Sequence, residues 1–128
     1  MSSDESSTAE LFGAGPVLPV PDVRAAVEWY RDMLGFTAEP LWGDPPSHGA
    51  AHRNRVGIQF TSAPAAYRPQ DYPGWSYVWV TDADALFVEF SHRGVTVLQP
   101  PRDETHGMRE FAIADLNGYR LRFGQYLL

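Results

Sequence analysis

The amino-acid sequence predicts an α+β fold built from two tandem βαβββ modules. Three observations carry this. A V-x-D signature opens a helical stretch twice, at Val20-x-Asp22 and at Val80-x-Asp82. A glycine suited to a helix end follows each stretch, Gly35 and then Gly94. Short runs with strand alternation surround both stretches, and duplication on this scale gives two similar half-domains. A lone half would leave one sheet face bare, so the halves must pack together or pair with another chain.

Residues 1–13 read as a disordered acidic tail, because Ser, Thr, Asp and Glu there cannot bury apolar surface. The domain is expected over 14–127, with modules at about 14–62 and 75–127 and a linker at 63–74. The first strand falls at 14–20, and Pro16 and Pro19 make it an edge or crossing strand. Asp22 is an N-cap, and Val23, Val27, Tyr30 and Leu34 line one face of a helix over 23–34. A strand at 36–42, a turn at 43–47 and a hairpin at 48–53 and 55–61 complete the first module. The proline-bearing linker carries Tyr67 and Tyr72 and could act as a flap. The second module repeats the plan. It has a strand at 76–81, a helix capped by Asp82 and running to about 93, and a short strand at 95–98. A loop at 100–107 and a hairpin at 109–114 and 119–125 follow, turning at Asp115-Leu116-Asn117-Gly118.

Composition narrows the function classes. There are no cysteines, which removes disulfides and thiolate chemistry. The net charge is −6 and there is no basic run, which argues against nucleic acid. No apolar run reaches membrane-span length, and the N-terminus lacks a signal peptide's basic and apolar regions, so the expectation is a cytoplasmic protein.

Strand alternation sorts the faces. Trp75, Tyr77 and Trp79 share one face, while Ser76, Val78 and Val80 pack beneath a helix. Leu121 and Phe123 do the same in the last strand, leaving Arg120, Arg122 and Gly124 opposite. Gly57, Gln59 and Thr61 take the equivalent face of the fourth strand. Flat aromatics with a few polar groups suit a small-molecule cleft. Arg122 could bind a carboxylate or stack on a ring. The competing reading makes the aromatics core or interface residues and Arg122 an ordinary surface ion pair. The ligand-binding candidates are Trp42, Gln59, Tyr67, Trp75, Tyr77, Trp79, Arg109 and Arg122.

Three blocks carry a family resemblance: GPVLPVPDVRAAVEWYRDMLGF at 15–36, WSYVWVTDADALFVEF at 75–90 and MREFAIADLNGYRLRF at 108–123. Together they resemble the vicinal oxygen chelate superfamily, which includes glyoxalase I, extradiol dioxygenases, fosfomycin-modifying enzymes and bleomycin-resistance proteins. The resemblance implies the glyoxalase/bleomycin-resistance fold. Metal-using members would place their ligands at Gly15, Trp75 and Arg122, and none of these can ligate a divalent ion. His48 and His52 lie on a hairpin, where their spacing keeps them apart. His92 suits a helix end and His106 a loop. No metal or other cofactor is therefore expected.

The nearer likeness is to the bleomycin-resistance proteins. It rests on Pro16-Val17-Leu18, Asp22-Val23, Ala26-Val27-Glu28, Val78-Trp79-Val80 and Arg109-Glu110-Phe111-Ala112. It implies a homodimer that sequesters an antibiotic in grooves at the subunit interface, without turnover, and a first strand exchangeable about Pro16. The longer acidic tail and the DLNG turn depart from that pattern and leave the drug's identity open. The leading expectation is a metal-free binding protein for an aromatic or cationic antibiotic. The alternatives are a lyase, isomerase or dioxygenase of the same fold, and an interaction module with a vestigial cleft.

Overall fold

The computed structural model describes residues 8–128. The first part of the tail, residues 1–7, lies outside the described residues, and residues 8–16 form no helix or strand. Two modules follow, each a strand, a helix and three more strands. The first comprises β1 (Val17–Val20), α1 (Val23–Leu34), β2 (Thr37–Ala38), β3 (His48–Arg53) and β4 (Val56–Ser62). The second comprises β5 (Trp75–Trp79), α2 (Ala83–His92), β6 (Thr96–Asp103), β7 (Met108–Ala114) and β8 (Arg120–Tyr126). Sheet A has the order β1-β4-β3-β2 and sheet B the matching order β5-β8-β7-β6. The first strand of each module runs parallel to the last, and the remaining pairs are antiparallel.

Local chemistry explains the helices. Asp22 accepts from the Ala25 amide at 3.0 Å, and Asp82 does the same for Ala85 at 3.0 Å. Gly35 ends α1 in the left-handed region at φ 72°, where other residues are strained. Helix α1 buries Val23, Ala26, Val27, Tyr30 and Leu34 over Leu18, Ile58 and Phe60 of sheet A. In the second module Phe90 meets Phe123 at 5.4 Å, and Phe111 stacks on Phe123 at 5.0 Å. Each of these fully buried aromatics contributes roughly 2–3 kcal/mol through lost contact with water.

Polar contacts join the modules. Tyr30 of α1 donates to Asp115 in the β7–β8 turn at 2.7 Å, and Asp115 also accepts from the Asn117 and Tyr119 amides. Burial nevertheless pushes the Asp115 carboxyl above its usual range. Glu89 of α2 binds Arg53 through two hydrogen bonds and Arg93 through a third. Those charges hold the Glu89 carboxyl below its usual range, with hydrogen bonding from Arg53 the largest cause.

Two predicted elements need correction. The loop expected at 100–107 is strand as far as Asp103, so β6 contains Pro100 and Pro101. The prolines are tolerated because β6 is an edge strand whose register with β7 slips twice. The strand expected at 36–42 shrinks to Thr37–Ala38, with one isolated bridge between Trp42 and His48. Among the described residues no helix is long and apolar enough to cross a membrane.

Candidate functional site

The exposed face of sheet B gathers the chemistry. Along β5, Val78 turns to the core while Trp75 and Trp79 remain 42% and 62% exposed. That is far more than core aromatics allow. Across β8, Leu121 and Phe123 are buried, so Arg120, Arg122 and Gly124 share the face of the tryptophans. Both guanidiniums lie over the Trp75 ring, Arg122 at 4.5 Å and Arg120 at 4.8 Å from its centroid. Tyr77 and Trp79 stand with centroids 4.9 Å apart.

Gly124 determines where Tyr77 goes. A Cβ there would lie 1.9 Å from the Tyr77 hydroxyl, so only a glycine lets the phenol cross β8. The hydroxyl reaches β7 and donates to Glu110 at 2.5 Å. Glu110 is buried and also contacts His106 at 3.0 Å and Arg122 at 3.4 Å. Burial works to raise the Glu110 carboxyl. Hydrogen bonds from Tyr77 and His106, with the charges of His106 and Arg122, outweigh it and hold the carboxyl below its usual range. Burial, and then the bond to Glu110, pushes the Tyr77 phenol well up, so it acts as a donor and not as a base. Gln99 of β6 accepts from Arg122 at 3.2 Å. The result is an aromatic shelf with a braced guanidinium beside it.

The donor set does not fit a metal. Arg122 is a permanent cation packed on Trp75. Gly15 cannot acquire a ligating side chain in place, since its Cβ would lie 2.2 Å from the Gly57 carbonyl oxygen. Among the described residues no group of three or more His, Cys, Asp or Glu is placed to hold a metal ion.

The predicted site residues separate into groups. Trp75, Tyr77, Trp79 and Arg122 come together on sheet B. Gln59 lies on sheet A and bonds His48 at 3.0 Å, beside the largely exposed Trp42. Tyr67 sits at the junction between the modules, its hydroxyl 3.0 Å from that of Tyr119. Arg109 pairs with Asp84 and Asp103, away from the aromatic shelf. Pro16 directly precedes β1, and its carbonyl accepts from the Gln59 amide. Of the other histidines, His52 pairs with Glu39 and His92 ends α2. Residues 53–56 and 78–82, Trp79 among them, line a groove of about 640 Å³ between the modules. A second groove, about 800 Å³, includes Gln59 and Gly15.

Sequence reasoning left Glu110, His106 and Gln99 out of the site, and put Arg120 on the right face without making it a candidate. For Glu110 the signal was present. Phe111 and Ile113 point to the core, so Glu110 and Ala112 must face the other way, and the hairpin register sets Glu110 opposite Gly124.

Paired βαβββ modules with an aromatic face on one sheet define a class of protein. Residues 14–123 match the Glyoxalase/Bleomycin resistance protein/Dioxygenase superfamily, and the chain belongs to it. The bleomycin-binding protein of the bleomycin-producing Streptomyces verticillus, solved with copper(II)-bleomycin, is 26% identical. Its TM-score is 0.73, over 91% of this chain and 97% of that one. TioX from Micromonospora sp. ML1 is 24% identical, with a TM-score of 0.72 over 90% of this chain and 100% of that one. A superfamily member from Nocardioides is 19% identical, with a TM-score of 0.73 over 97% of this chain and 89% of that one. The last two likenesses speak to fold alone. None of the curated proteins matches the chain.

Proposed function

We propose that this chain is a metal-free binding protein that sequesters an aromatic, antibiotic-type small molecule. In this reading it acts as a homodimer whose second copy closes the open face of sheet B, with bleomycin the first ligand to test. The observation that carries the reading is the exposed Trp75 and Trp79, with the half-buried Tyr77 between them, beside the braced guanidinium of Arg122. Flat rings on a rigid sheet bind other rings with little loss of side-chain entropy. The likeness to a protein solved with copper(II)-bleomycin supports the choice of ligand.

Titration with bleomycin and with copper(II)-bleomycin should quench tryptophan fluorescence and release heat. Trp79→Ala should weaken binding by about tenfold or more, as expected for a buried aromatic anchor. Neither quenching nor heat would exclude that ligand class. Light scattering should give twice the chain mass of 14.3 kDa.

A second reading rests on the Glu110–His106 pair, in which the carboxylate would orient the imidazole as a general acid or base in a metal-independent lyase or isomerase. The two separate on what happens to the ligand. Sequestration returns it unchanged, whereas an enzyme converts it and loses turnover in Glu110→Gln.

A further inference from the structure

We infer that the ligand of the sheet B face carries an acid group, a carboxylate or sulfonate, on a planar ring, with Arg122 and Arg120 gripping the acid and Tyr77 and Trp79 supporting the ring. This rests on the small-molecule reading above and narrows its ligand class to acids, so a cationic drug of the bleomycin type would bind this face through its rings alone.

The net charge of −6 does not describe this face. Arg102, Arg120 and Arg122 stand on it against Glu104 and Glu110, and each carboxylate already bonds an arginine, Glu104 through one oxygen. Glu104 accepts from Arg102 at 2.6 Å and from Gln99 at 3.3 Å. One oxygen of Glu110 is taken by Tyr77 at 2.5 Å and His106 at 3.0 Å. Only the other reaches Arg122, at 3.4 Å. A cationic ligand group beside Trp75 would therefore meet two guanidiniums, and the carboxylate that contacts Arg122, Glu110, is already bonded through both oxygens.

The arginines keep donors in reserve. Arg122 uses Nη1 for Gln99 and Glu110, and among the described residues its Nε and Nη2 reach no protein acceptor. Arg120 uses Nη2 for the Tyr72 carbonyl at 2.8 Å, and its Nε and Nη1 reach none among the described residues. No buried side-chain nitrogen among the described residues lacks a partner, so these N–H groups face solvent. Contact with the Trp75 ring helps hold both guanidiniums in place. On Arg122 the two unused groups, Nε and Nη2, share one edge of the guanidinium and form the fork that binds a carboxylate through two parallel hydrogen bonds, while Arg120 adds single donors. In register, Tyr77 lies opposite Arg122 and Trp79 opposite Gly124. The ring platform thus extends from the arginine by about 7 Å, the repeat along one strand face. A bicyclic aromatic acid spans that distance.

Three probes with one ring and different charge test this: 2-naphthoate, naphthalene-2-carboxamide and 2-naphthylmethylammonium, titrated by calorimetry and tryptophan quenching. The acid should bind about tenfold or more tighter than the amide, and the ammonium weakest, because a charge-assisted pair outweighs a neutral one. Arg122→Lys keeps the charge beside Glu110 but loses the fork, and Arg120→Gln touches no buried partner. Each should lower the acid-to-amide affinity ratio severalfold, with thermal unfolding followed to confirm that the variant is folded, and an unchanged ratio in both variants would overturn the assignment to these arginines. If the amide binds as tightly as the acid, the acid inference fails and the aromatic reading stands. If none of the three binds, both fail.

Discussion

Replacing Gly124 with alanine should displace Tyr77 from Glu110. The new Cβ would lie 1.9 Å from the Tyr77 hydroxyl, 2.7 Å from Cζ and 3.1 Å from the Met108 methyl. Gly124 is not in the left-handed region, so the backbone itself accepts alanine and the effect is steric. The ring must swing away, and Glu110, buried and ionised, loses its 2.5 Å donor. A hydrogen bond to a charged group is worth about 1.5–3 kcal/mol. Alanine returns roughly 0.4–1 kcal/mol by restricting the unfolded chain. The net loss is then about 0.5–2.6 kcal/mol, a fall in Tm of roughly 2–12 °C for a domain of this size. Tyr77→Phe removes the same bond. The two substitutions should therefore be non-additive, the double variant losing less than the sum by about 1 kcal/mol or more. Calorimetric melting of the four proteins decides it. A G124A Tm within about 1 °C of wild type, or an additive cycle, would refute the assigned role of Gly124.

Two further outcomes follow from the same geometry. Glu110 is held below its usual value of 4.5, so its contribution to stability is present above that pH and is lost as pH falls through its lower folded value. The stability gap between wild type and Glu110→Gln, read from urea midpoints, should be constant near neutrality and close in acid; a gap that widens in acid would reverse the sign of the argument. Gly15→His combined with Arg122→Glu restores metal-ligand residue types, yet the histidine Cβ would strike the Gly57 carbonyl at 2.2 Å. That variant should melt several degrees lower and bind no zinc by calorimetry, and tight stoichiometric binding would show that the scaffold gives way at that point.

Much of the fold was readable because local signals agreed. Asp22, the apolar spacing of Val23, Val27, Tyr30 and Leu34, and Gly35 all marked one helix, and α1 occupies Val23–Leu34. Strand alternation put Trp75, Tyr77 and Trp79 opposite Val78. What failed depends on distant partners. Pro100 and Pro101 read as loop, yet an edge strand has no outer neighbour needing their amides and β6 continues through them. Gln59 was placed with the Trp75 face because its alternation is equivalent, but it sits on the other sheet. Glu110 looked like a hairpin residue among apolar neighbours. Its role emerges only when Tyr77 crosses Gly124 to reach it, a contact between residues 33 positions apart.

Aromatic ligands are expected to lie on the sheet B face, against Trp75 and Trp79. The chain has four tryptophans, and their indole N–H signals report on separate places. Trp75 and Trp79 are on that face, Trp42 is beside His48 on sheet A, and Trp29 packs against the core next to Tyr30. Proton–nitrogen correlation spectra recorded while titrating naphthalene-2-carboxamide, with each signal assigned by Trp→Phe replacement, should move Trp75 and Trp79 together and leave Trp29 in place. Shifts confined to Trp29 or Trp42 would contradict the assignment of the site.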